Sequence, residues 1–309
     1  MADASRLASG ADFFLIWSTP PHTFQPRFMR SVESIFRHHP DARVSVLSNT
    51  LPNDFFGVLS RAGLDVGVER YDLRRLVTGT RAEVWYDFRA FWNQSSYFAN
   101  HEADLLRLLW LERRGGVYVD ADVVFVNPLP RELMASALGI ESGTGGMRWR
   151  VLSGGGGDRA AAALPQGSVL CNAVMAFEAG ASFVRRAVQG FVSEYVPYTP
   201  GLSFEELLMA GEWGAMGPWL LTRVARANPE DVRVLRREAL YPIGPGHIVP
   251  HLGKWDDARD APVLATIQQH SVAVHYWNQM SRHVRLACGS LLHRLLEENC
   301  VVCTPLPCE

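Results

Sequence analysis

The 309-residue chain carries 30 Lys and Arg against 32 Asp and Glu, a formal net charge of −2, and 48% of its residues are hydrophobic. This composition excludes extensive disorder and suits one large α/β domain or two smaller ones. It lacks the positive charge that drives binding to phosphate backbones, so we expect no nucleic-acid partner. Lys254 is the only lysine, and no glycine-rich phosphate loop surrounds it.

The sequence also bears on membranes and on cysteine chemistry. No apolar run reaches the roughly 18 residues that span a bilayer, so we expect no transmembrane segment. The first ten residues lack the apolar core of a signal peptide. Cys300 and Cys303 form a lone CxxC pair with Cys308 just beyond, and no second ligand pair follows at zinc-finger spacing. A surface disulfide or free thiols are therefore favoured over zinc.

The first 70 residues predict three strands that alternate with two helices. Short apolar or alternating runs predict strands at residues 13–17, 44–47 and 66–68. Helical spacing of apolar residues predicts helices over 28–36 and 55–62. This alternation is typical of a parallel sheet with helices on both faces.

The middle of the chain contains a helix that leads into a strand and an acidic pair. Residues 104–114 predict an amphipathic helix, which Gly115 and Gly116 end. Strand 117–119 then runs into Asp120 and Asp122, and an apolar strand follows at 123–126. The low-complexity stretch 141–168 predicts a flexible surface insertion.

The last part of the chain predicts a buried strand over 169–177, with Asn172 as its one polar residue. A helix is expected at 183–195, and a second begins after Pro218. The last strand is expected at 272–277. A helix near 290–297 precedes a Cys/Pro tail at 300–309.

Asp120 and Asp122 are the first candidates for chemistry. Along a strand, residues two apart face the same way, so both carboxylates are expected to converge. Convergent carboxylates hold hard divalent cations, and ligands of open α/β sheets bind at the carboxyl ends of strands. A D-x-D pattern also arises by chance, but here apolar residues flank it, and unpaired charge is costly beside a core.

Each of four other residues allows two interpretations of its role. Asp104 and Arg107 share one helix face, either as an ordinary ion pair or as donor-site residues near the metal. Trp17, at a strand's carboxyl end, is either core or a platform for stacking a base. Asn172 needs hydrogen-bond partners, which sugar hydroxyls or neighbouring backbone would supply.

His275 and Trp277 are expected on the same face of the last strand. A lone strand histidine is more often a satisfied core residue. With a carboxylate pair already proposed, His275 becomes a candidate third ligand of metal or phosphate.

Several motifs in order now resemble a known family. Residues 104–107 (DLLR), 115–122 (GGVYVDAD) and 127–129 (NPL) resemble the DXD region of glycosyltransferase family 32. The chain is more closely similar to α1,4-glycosyltransferases of the lactosylceramide α1,4-galactosyltransferase type. This closer similarity rests on five further segments, at 28–34, 171–178, 217–224, 241–243 and 274–278.

The resemblance implies a single GT-A domain over 1–309, with a Rossmann-like, mostly parallel central sheet and helices on both faces. Within it, residues 1–130 would form the nucleotide-binding half, and 169–299 the acceptor half. It also implies a retaining transferase that uses a UDP-sugar and Mn²⁺ or Mg²⁺. Galactose is the first guess for the sugar, with GlcNAc and glucose next, and a glycan or glycolipid is the acceptor.

The resemblance also assigns roles to residues. Asp120 would contact ribose and metal, and Asp122 and His275 would ligate metal, with phosphate as the other duty of His275. Trp17 would stack on uracil, and Trp277 would close over the pyrophosphate. Asp104 and Arg107 would hold the donor sugar and the nucleotide.

The catalytic candidates are Asp104, Asn172 and Glu212. We expect same-face attack of the acceptor hydroxyl. A double displacement would need a carboxylate nucleophile, for which Asp104 and Glu212 are candidates. Family members work in the Golgi lumen behind an N-terminal anchor, and the chain has no recognisable anchor.

Two alternatives belong to other classes. The segment from 119 to 124 also fits the hydrophobic-DxDx(T/V) motif of haloacid-dehalogenase phosphatases. Those enzymes need a lysine well before an acidic pair, whereas Lys254 stands two residues before Asp256. The other alternative is a non-catalytic sugar-binding or partner-binding protein on the same fold.

Overall fold

The computed structural model describes residues 11–93, 97–143, 164–195 and 213–309. The strands within these ranges are β1 (Asp12–Ile16), β2 (Arg43–Leu47), β3 (Asp65–Glu69), β4 (Gly116–Val119), β5 (Val123–Phe125), β6 (Ser136–Ser142), β7 (Val169–Phe177), β8 (Val234–Leu235) and β9 (Ala273–His275).

Helices connect and cover these strands. They are α1 (Pro26–His38), α2 (Gly57–Arg61), α3 (Leu73–Val77), α4 (Ala82–Asp87), α5 (Arg89–Trp92), α6 (Phe98–Arg114), α7 (Ser182–Glu194), α8 (Leu220–Ala227), α9 (Arg237–Leu240), α10 (Asp257–His270), α11 (Asn278–Ser281) and α12 (Leu291–Glu298). A π-helical turn, Ala215–Trp219, leads into α8. No helix in the described ranges combines the length and apolar character needed to cross a bilayer.

The main sheet has seven strands in the order β3-β2-β1-β4-β7-β6-β8. Four of its six pairings are parallel, and β7 runs antiparallel to both of its neighbours. The predicted α/β class with a mostly parallel sheet is therefore confirmed. Val119 lies opposite Val174, so the first residues of β7 project beyond the carboxyl end of β4.

The remaining two strands form a separate antiparallel sheet, in which Val123 of β5 lies opposite His275 of β9. The sequence predicts that β5 continues from the acidic pair as a strand but does not indicate its partner. Asp120 therefore follows a strand of one sheet, and Asp122 precedes a strand of the other. The site begins at this crossing between the two sheets.

Both faces of the main sheet are buried, which explains its near-continuous apolar strands. Phe13 and Leu15 of β1 pack in one cluster with α1 and α12, whereas Phe14 packs in the other with α6 and α7. The apolar positions that predict α1 and α7 supply these contacts, because their 3.6-residue spacing places them on one helix face.

Two predictions differ from the structure at their boundaries. The predicted last strand, 272–277, is shorter, because Trp277 adopts φ 49° and leaves the strand. The predicted insertion, 141–168, begins after Ser142, since β6 extends to that residue. Most of this insertion lies outside the described residues.

The end of the chain is fastened to α1. Disulfides join Cys288 to Cys308 and Cys300 to Cys303, so of the two predicted alternatives the structure has disulfides and not free thiols, and no thiolate pair is left there for zinc. The fully buried Glu33 carboxylate accepts hydrogen bonds from the backbone N–H groups of residues 301–304 and from the Thr304 hydroxyl. A buried carboxylate is stable here because it has a complete set of donors.

Candidate functional site

Asp120 and Asp122 lie in the turn that joins β4 to β5. The Val123 N–H donates to the Asp120 carbonyl across this turn, at 3.2 Å. The expectation that strand periodicity aligns the two carboxylates is wrong, since neither residue lies in a strand. The turn nevertheless brings both side chains together with His275, and one ligand atom from each lies within 4.8 Å of the others.

Asp122 and His275 form a close pair. The Asp122 Oδ2 lies 3.0 Å from His275 Nε2 and accepts a 2.6 Å hydrogen bond from the Asn278 N–H. Burial alone would lower the pKa of His275, but the Asp122 carboxylate raises it well above 6.5. In turn, burial would raise the pKa of Asp122, and the charge of His275 lowers it. The pair therefore shares a proton that a cation would have to displace.

The donor set fits a divalent cation such as Mn²⁺. Two carboxylates and one imidazole are ligands that Mn²⁺ accepts, and three protein ligands leave positions for water and phosphate oxygens. Asp122 and His275 are mostly buried, at 15% and 7% side-chain exposure, so their charge is not simply solvated. A second group, Glu33 with Cys300 and Cys303, does not fit, because both sulfurs are in a disulfide.

A second polar network adjoins Asp120. Arg107 lies 3.2 Å from Asp104 Oδ1 and 3.4 Å from Asp120 Oδ1, and it donates a 3.0 Å hydrogen bond to the Asn172 carbonyl. The Asn172 side-chain amide donates to Asp104 Oδ1 at 2.7 Å. Burial raises the pKa of Asp104 to about 6, while the charge of Arg107 opposes that rise. All three side chains are buried, so the pair between Asp104 and Arg107 is not a solvated surface pair.

Gly217 packs directly against the side chains of this network. A Cβ at position 217 would lie 2.5 Å from Asn172 Nδ2 and 3.0 Å from Asp104 Oδ2. Only a glycine therefore lets the π-helical turn approach the two side chains without displacing them.

Trp17 is packed against the core and is partly exposed, and its role as a platform for a base stays a prediction. It follows β1, the strand beside β4, and so lies at the same sheet edge as Asp120. Its ring packs against Phe24 and Phe28, with centroids 4.7 and 5.3 Å away, yet the residue keeps partial exposure. Its indole nitrogen is buried with no hydrogen-bond partner among the described residues.

Trp277 lies beside His275, although not by strand alternation. Its ring centroid is 4.0 Å from that of His275, and its indole N–H donates to the Ile243 carbonyl at 2.7 Å. The left-handed backbone at Trp277 turns the chain so that Asn278 can reach Asp122. The predicted proximity of the two side chains is present, but the left-handed turn produces it.

One predicted residue cannot be placed, and several contributors were not anticipated. Glu212 lies outside the described residues. The Tyr118 hydroxyl donates to Asp120, and period-two alternation from Asp120 could have indicated it. The buried free thiol of Cys171 neighbours His275, and the backbone N–H of Asn278 binds Asp122. No local sequence signal predicts either of these last two contacts.

Family comparisons agree with this geometry. Residues 25–141 match the glycosyltransferase sugar-binding region containing the DXD motif, and Asp120-Ala-Asp122 is the D-x-D sequence within that range. The molecule is therefore a glycosyltransferase by class. Residues 176–306 match the alpha 1,4-glycosyltransferase conserved region. Together the two matches relate most of the chain to glycosyltransferase families.

Individual relatives are distant. An uncharacterised Arabidopsis thaliana protein is 25% identical over 94% of this chain, and the chain spans 42% of that protein's length. Mouse lactosylceramide 4-alpha-galactosyltransferase is 28% identical over 95% of this chain and 75% of its own. Human alpha-1,4-N-acetylglucosaminyltransferase is 22% identical over 74% of this chain and 58% of its own. The solved galactosyltransferase LgtC, in complex with donor and acceptor sugar analogues, covers 93% of this chain and 95% of its own at 12% identity and TM-score 0.48.

Proposed function

We propose that the protein transfers a hexose from a UDP-sugar to a hydroxyl of a glycan or glycolipid, forming an α linkage with retention at the anomeric carbon. The observation that carries this proposal is the convergence of Asp120, Asp122 and His275 beside the buried Asp104–Arg107–Asn172 network. The first group suits a cation with a diphosphate, and the second suits a sugar ring.

A bound Mn²⁺ or Mg²⁺ would neutralise the charge that develops on the leaving diphosphate. The chain itself holds the ligands in place: Asn278 fixes Asp122 through its backbone N–H, and Arg107 orients Asp120. Arg107 also brings a fixed positive charge to the edge where the diphosphate would lie. Such preorganised charge stabilises a transition state without reorganisation.

The transfer needs no reactant besides the UDP-sugar and the acceptor. The bond between C1 and the diphosphate oxygen breaks, and its electron pair goes to that oxygen. The acceptor hydroxyl oxygen bonds to C1 from the face that the diphosphate leaves, and its proton passes to the diphosphate. Asp104 and Asn172 would position the donor sugar. Their side chains are hydrogen-bonded to each other, and Gly217 lies directly against both. Glu212 stays a candidate nucleophile for the double-displacement alternative.

The sugar is galactose or N-acetylglucosamine in this proposal. One relative is named a galactosyltransferase and another an N-acetylglucosaminyltransferase, and both names give the same 1,4 position with α geometry. We propose the Golgi lumen as the place of action. The two disulfides support this, because disulfides persist in oxidising compartments.

The test is UDP release from UDP-galactose and UDP-GlcNAc, with and without Mn²⁺, in wild type and Asp122→Asn. We expect Mn²⁺-dependent release that falls about a hundredfold or more in the variant, since a ligand and a partner of His275 are lost together. Asp54→Asn, which changes an exposed aspartate, is the matched control and should keep wild-type rates.

Three outcomes would overturn the proposal. If Asp122→Asn releases UDP at the wild-type rate, Asp122 does not serve the reaction. If wild type binds a glycan in calorimetry but neither binds UDP nor releases it, the protein is a non-catalytic sugar-binding protein. Rapid hydrolysis of p-nitrophenyl phosphate would instead support phosphatase chemistry. Lys254, the only lysine available for that chemistry, is exposed on the loop before α10.

A further inference from the structure

A cavity of about 290 Å³ opens at the start of β7, outside the two networks described above. Its walls are Gly167, Ser168, Val169, Trp219, Thr222, Arg223 and Arg226. This volume is at the small end of the roughly 300–1,000 Å³ of typical ligand sites, so it suits one ring of a saccharide better than a large ligand.

The cavity lies on the same side of the sheet as Asp104. The Leu170 N–H donates to the hydroxyl of Thr222, a cavity wall on α8, and Leu170 packs in the same cluster as α8 and α6, the helix that carries Asp104. Val169, at the cavity wall, is three residues before Asn172, which corresponds to about 10 Å along the strand. A short oligosaccharide spans that distance, so one molecule could reach both places.

The π-helical turn links the cavity to the candidate donor site directly. Gly217 abuts Asn172 and Asp104, and Trp219, two residues later, forms a wall of the cavity. The same turn therefore contacts the sugar-positioning side chains at one end and lines the cavity at the other.

Trp219 is the feature that indicates the ligand. Tryptophan is highly buried on average, yet Trp219 is 41% exposed. The Trp219 ring lies beside Gly214, where an added Cβ would stand 3.3 Å from the indole. An indole with an open face is suited to packing against the apolar C–H face of a sugar ring.

Both arginines of the cavity already have partners. Arg223 already pairs with Glu194 at 2.8 Å. Arg226 donates to the carbonyls of Ser168 and Pro165 at 2.9 and 3.3 Å. Both guanidinium groups are exposed, and the N–H groups that these contacts leave over can donate to sugar hydroxyls.

We propose that this cavity is an acceptor subsite, in which Trp219 stacks on a neutral sugar ring that precedes the ring receiving the transferred hexose. The inference rests on the proposed function, because it takes the Asp104–Asn172 network as the place of transfer. It adds the substrate's extent: an acceptor of at least two rings is bound better than a monosaccharide.

The experiment compares Trp219→Ala, Trp219→Phe and the control Trp213→Ala. Trp213 is also exposed, at 52%, but does not line the cavity. Transfer from the UDP-sugar to p-nitrophenyl β-lactoside gives the acceptor KM, and UDP release without acceptor reports the donor side. We expect Trp219→Ala to raise the acceptor KM about tenfold or more with unchanged UDP release. Trp219→Phe should recover most of that loss, and Trp213→Ala should match wild type.

The outcomes separate the two proposals. Equal acceptor KM values for Trp219→Ala and Trp213→Ala, with UDP release intact, overturn the subsite and leave the proposed function standing. If wild type releases no UDP, the proposed function fails. Saturation-transfer NMR with p-nitrophenyl β-lactoside then tests sugar binding in the cavity independently of transfer. Signals lost only in Trp219→Ala support a sugar site. Signals unchanged in all three variants refute it.

Discussion

Gly217 lies so close to Asn172 that a Cβ added to the glycine would stand 2.5 Å from the asparagine's side-chain nitrogen. Gly217→Ala should therefore push Asn172 away from Asp104. We expect the rate of transfer to fall by about 10- to 100-fold, because small misplacements at a reacting centre have effects of this size. Steady-state kinetics of the folded variant, checked by circular dichroism, measures it.

Gly67→Ala is the matched control for this substitution. Gly67 is exposed on β3, and a Cβ there would meet nothing within 4 Å. It should transfer sugar at the wild-type rate. A Gly217→Ala protein as active as Gly67→Ala would show that the Asp104–Asn172 contact does not position the donor.

The duty of His275 can be decided by binding alone. If it is a metal ligand, His275→Gln should weaken Mn²⁺ binding without nucleotide by about 10- to 100-fold, as measured by electron paramagnetic resonance. The affinity of wild type should rise with pH, because the cation displaces the proton shared with Asp122. The exposed His247 supplies the control, His247→Gln. Unchanged Mn²⁺ affinity with weakened UDP binding would assign His275 to phosphate instead.

Glu33 should matter far more to stability than a surface glutamate that also bonds to α1. In Glu33→Gln an amide NH₂ would face the backbone N–H groups of residues 301–304, so we expect a loss of about 3 kcal/mol or more in unfolding free energy. Glu297 pairs with Arg30 at 2.8 Å and is 41% exposed. Glu297→Gln should cost about 1 kcal/mol or less. Equal losses in urea unfolding would contradict the buried role of Glu33.

Asp260 should give the protein a distinct acid dependence. It is fully buried and accepts hydrogen bonds from His251, Arg259 and the Asp256 N–H. Burial would raise its pKa, but these donors outweigh that effect and lower the pKa to about 2. Because the unfolded pKa is near 3.9, the stabilisation is complete above that pH and is lost as pH falls toward 2.

The measurement is the difference in unfolding free energy between wild type and Asp260→Asn across pH. That difference should be largest above pH 5 and shrink by about 2–3 kcal/mol as pH falls through this window. A difference that stays constant between pH 6 and pH 3 would mean that Asp260 titrates normally. The test matters for the site, since α10, which carries Asp260, precedes the strand of His275.

The two disulfides should differ in their contribution to stability. Cys288–Cys308 closes 20 residues and Cys300–Cys303 closes 3. Loop entropy predicts losses of about 3 kcal/mol and about 1.5 kcal/mol when each pair is changed to serine. Urea unfolding without reductant compares the two variants. The reverse order would show that Cys300–Cys303 acts mainly by shaping the loop around Glu33.

Local patterns predict much of the fold. The strands and helices of the first 70 residues and the buried strand β7 lie within a few residues of the predicted positions, because alternation and helical spacing depend only on neighbours. The pairing of β5 with β9 is not predictable in this way, since the two strands are far apart in sequence. The short strand β8, of two residues, is too brief to leave a pattern.

In the candidate site, too, some features follow from local sequence and others do not. Asp120 and Asp122 are indicated because they follow a buried strand, and Asp104 because it lies on the helix that leads into that strand. Packing between distant segments produces the left-handed turn at Trp277 and the close approach of Gly217. Neither feature can be predicted from the residue type alone. The resemblance to a family supplied the roles, whereas the contacts among these residues required the three-dimensional structure.

The acidic pair lies where the chain passes from one sheet to the other, so a bound ion would affect the mobility of both sheets. Asp120 belongs to the end of one sheet, while Asp122 and His275 belong to the other. An ion shared by the three would crosslink the two sheets at this turn. Loading the site should then stiffen both sheets together, so amide hydrogen exchange would slow in β9 as well as at the end of β4.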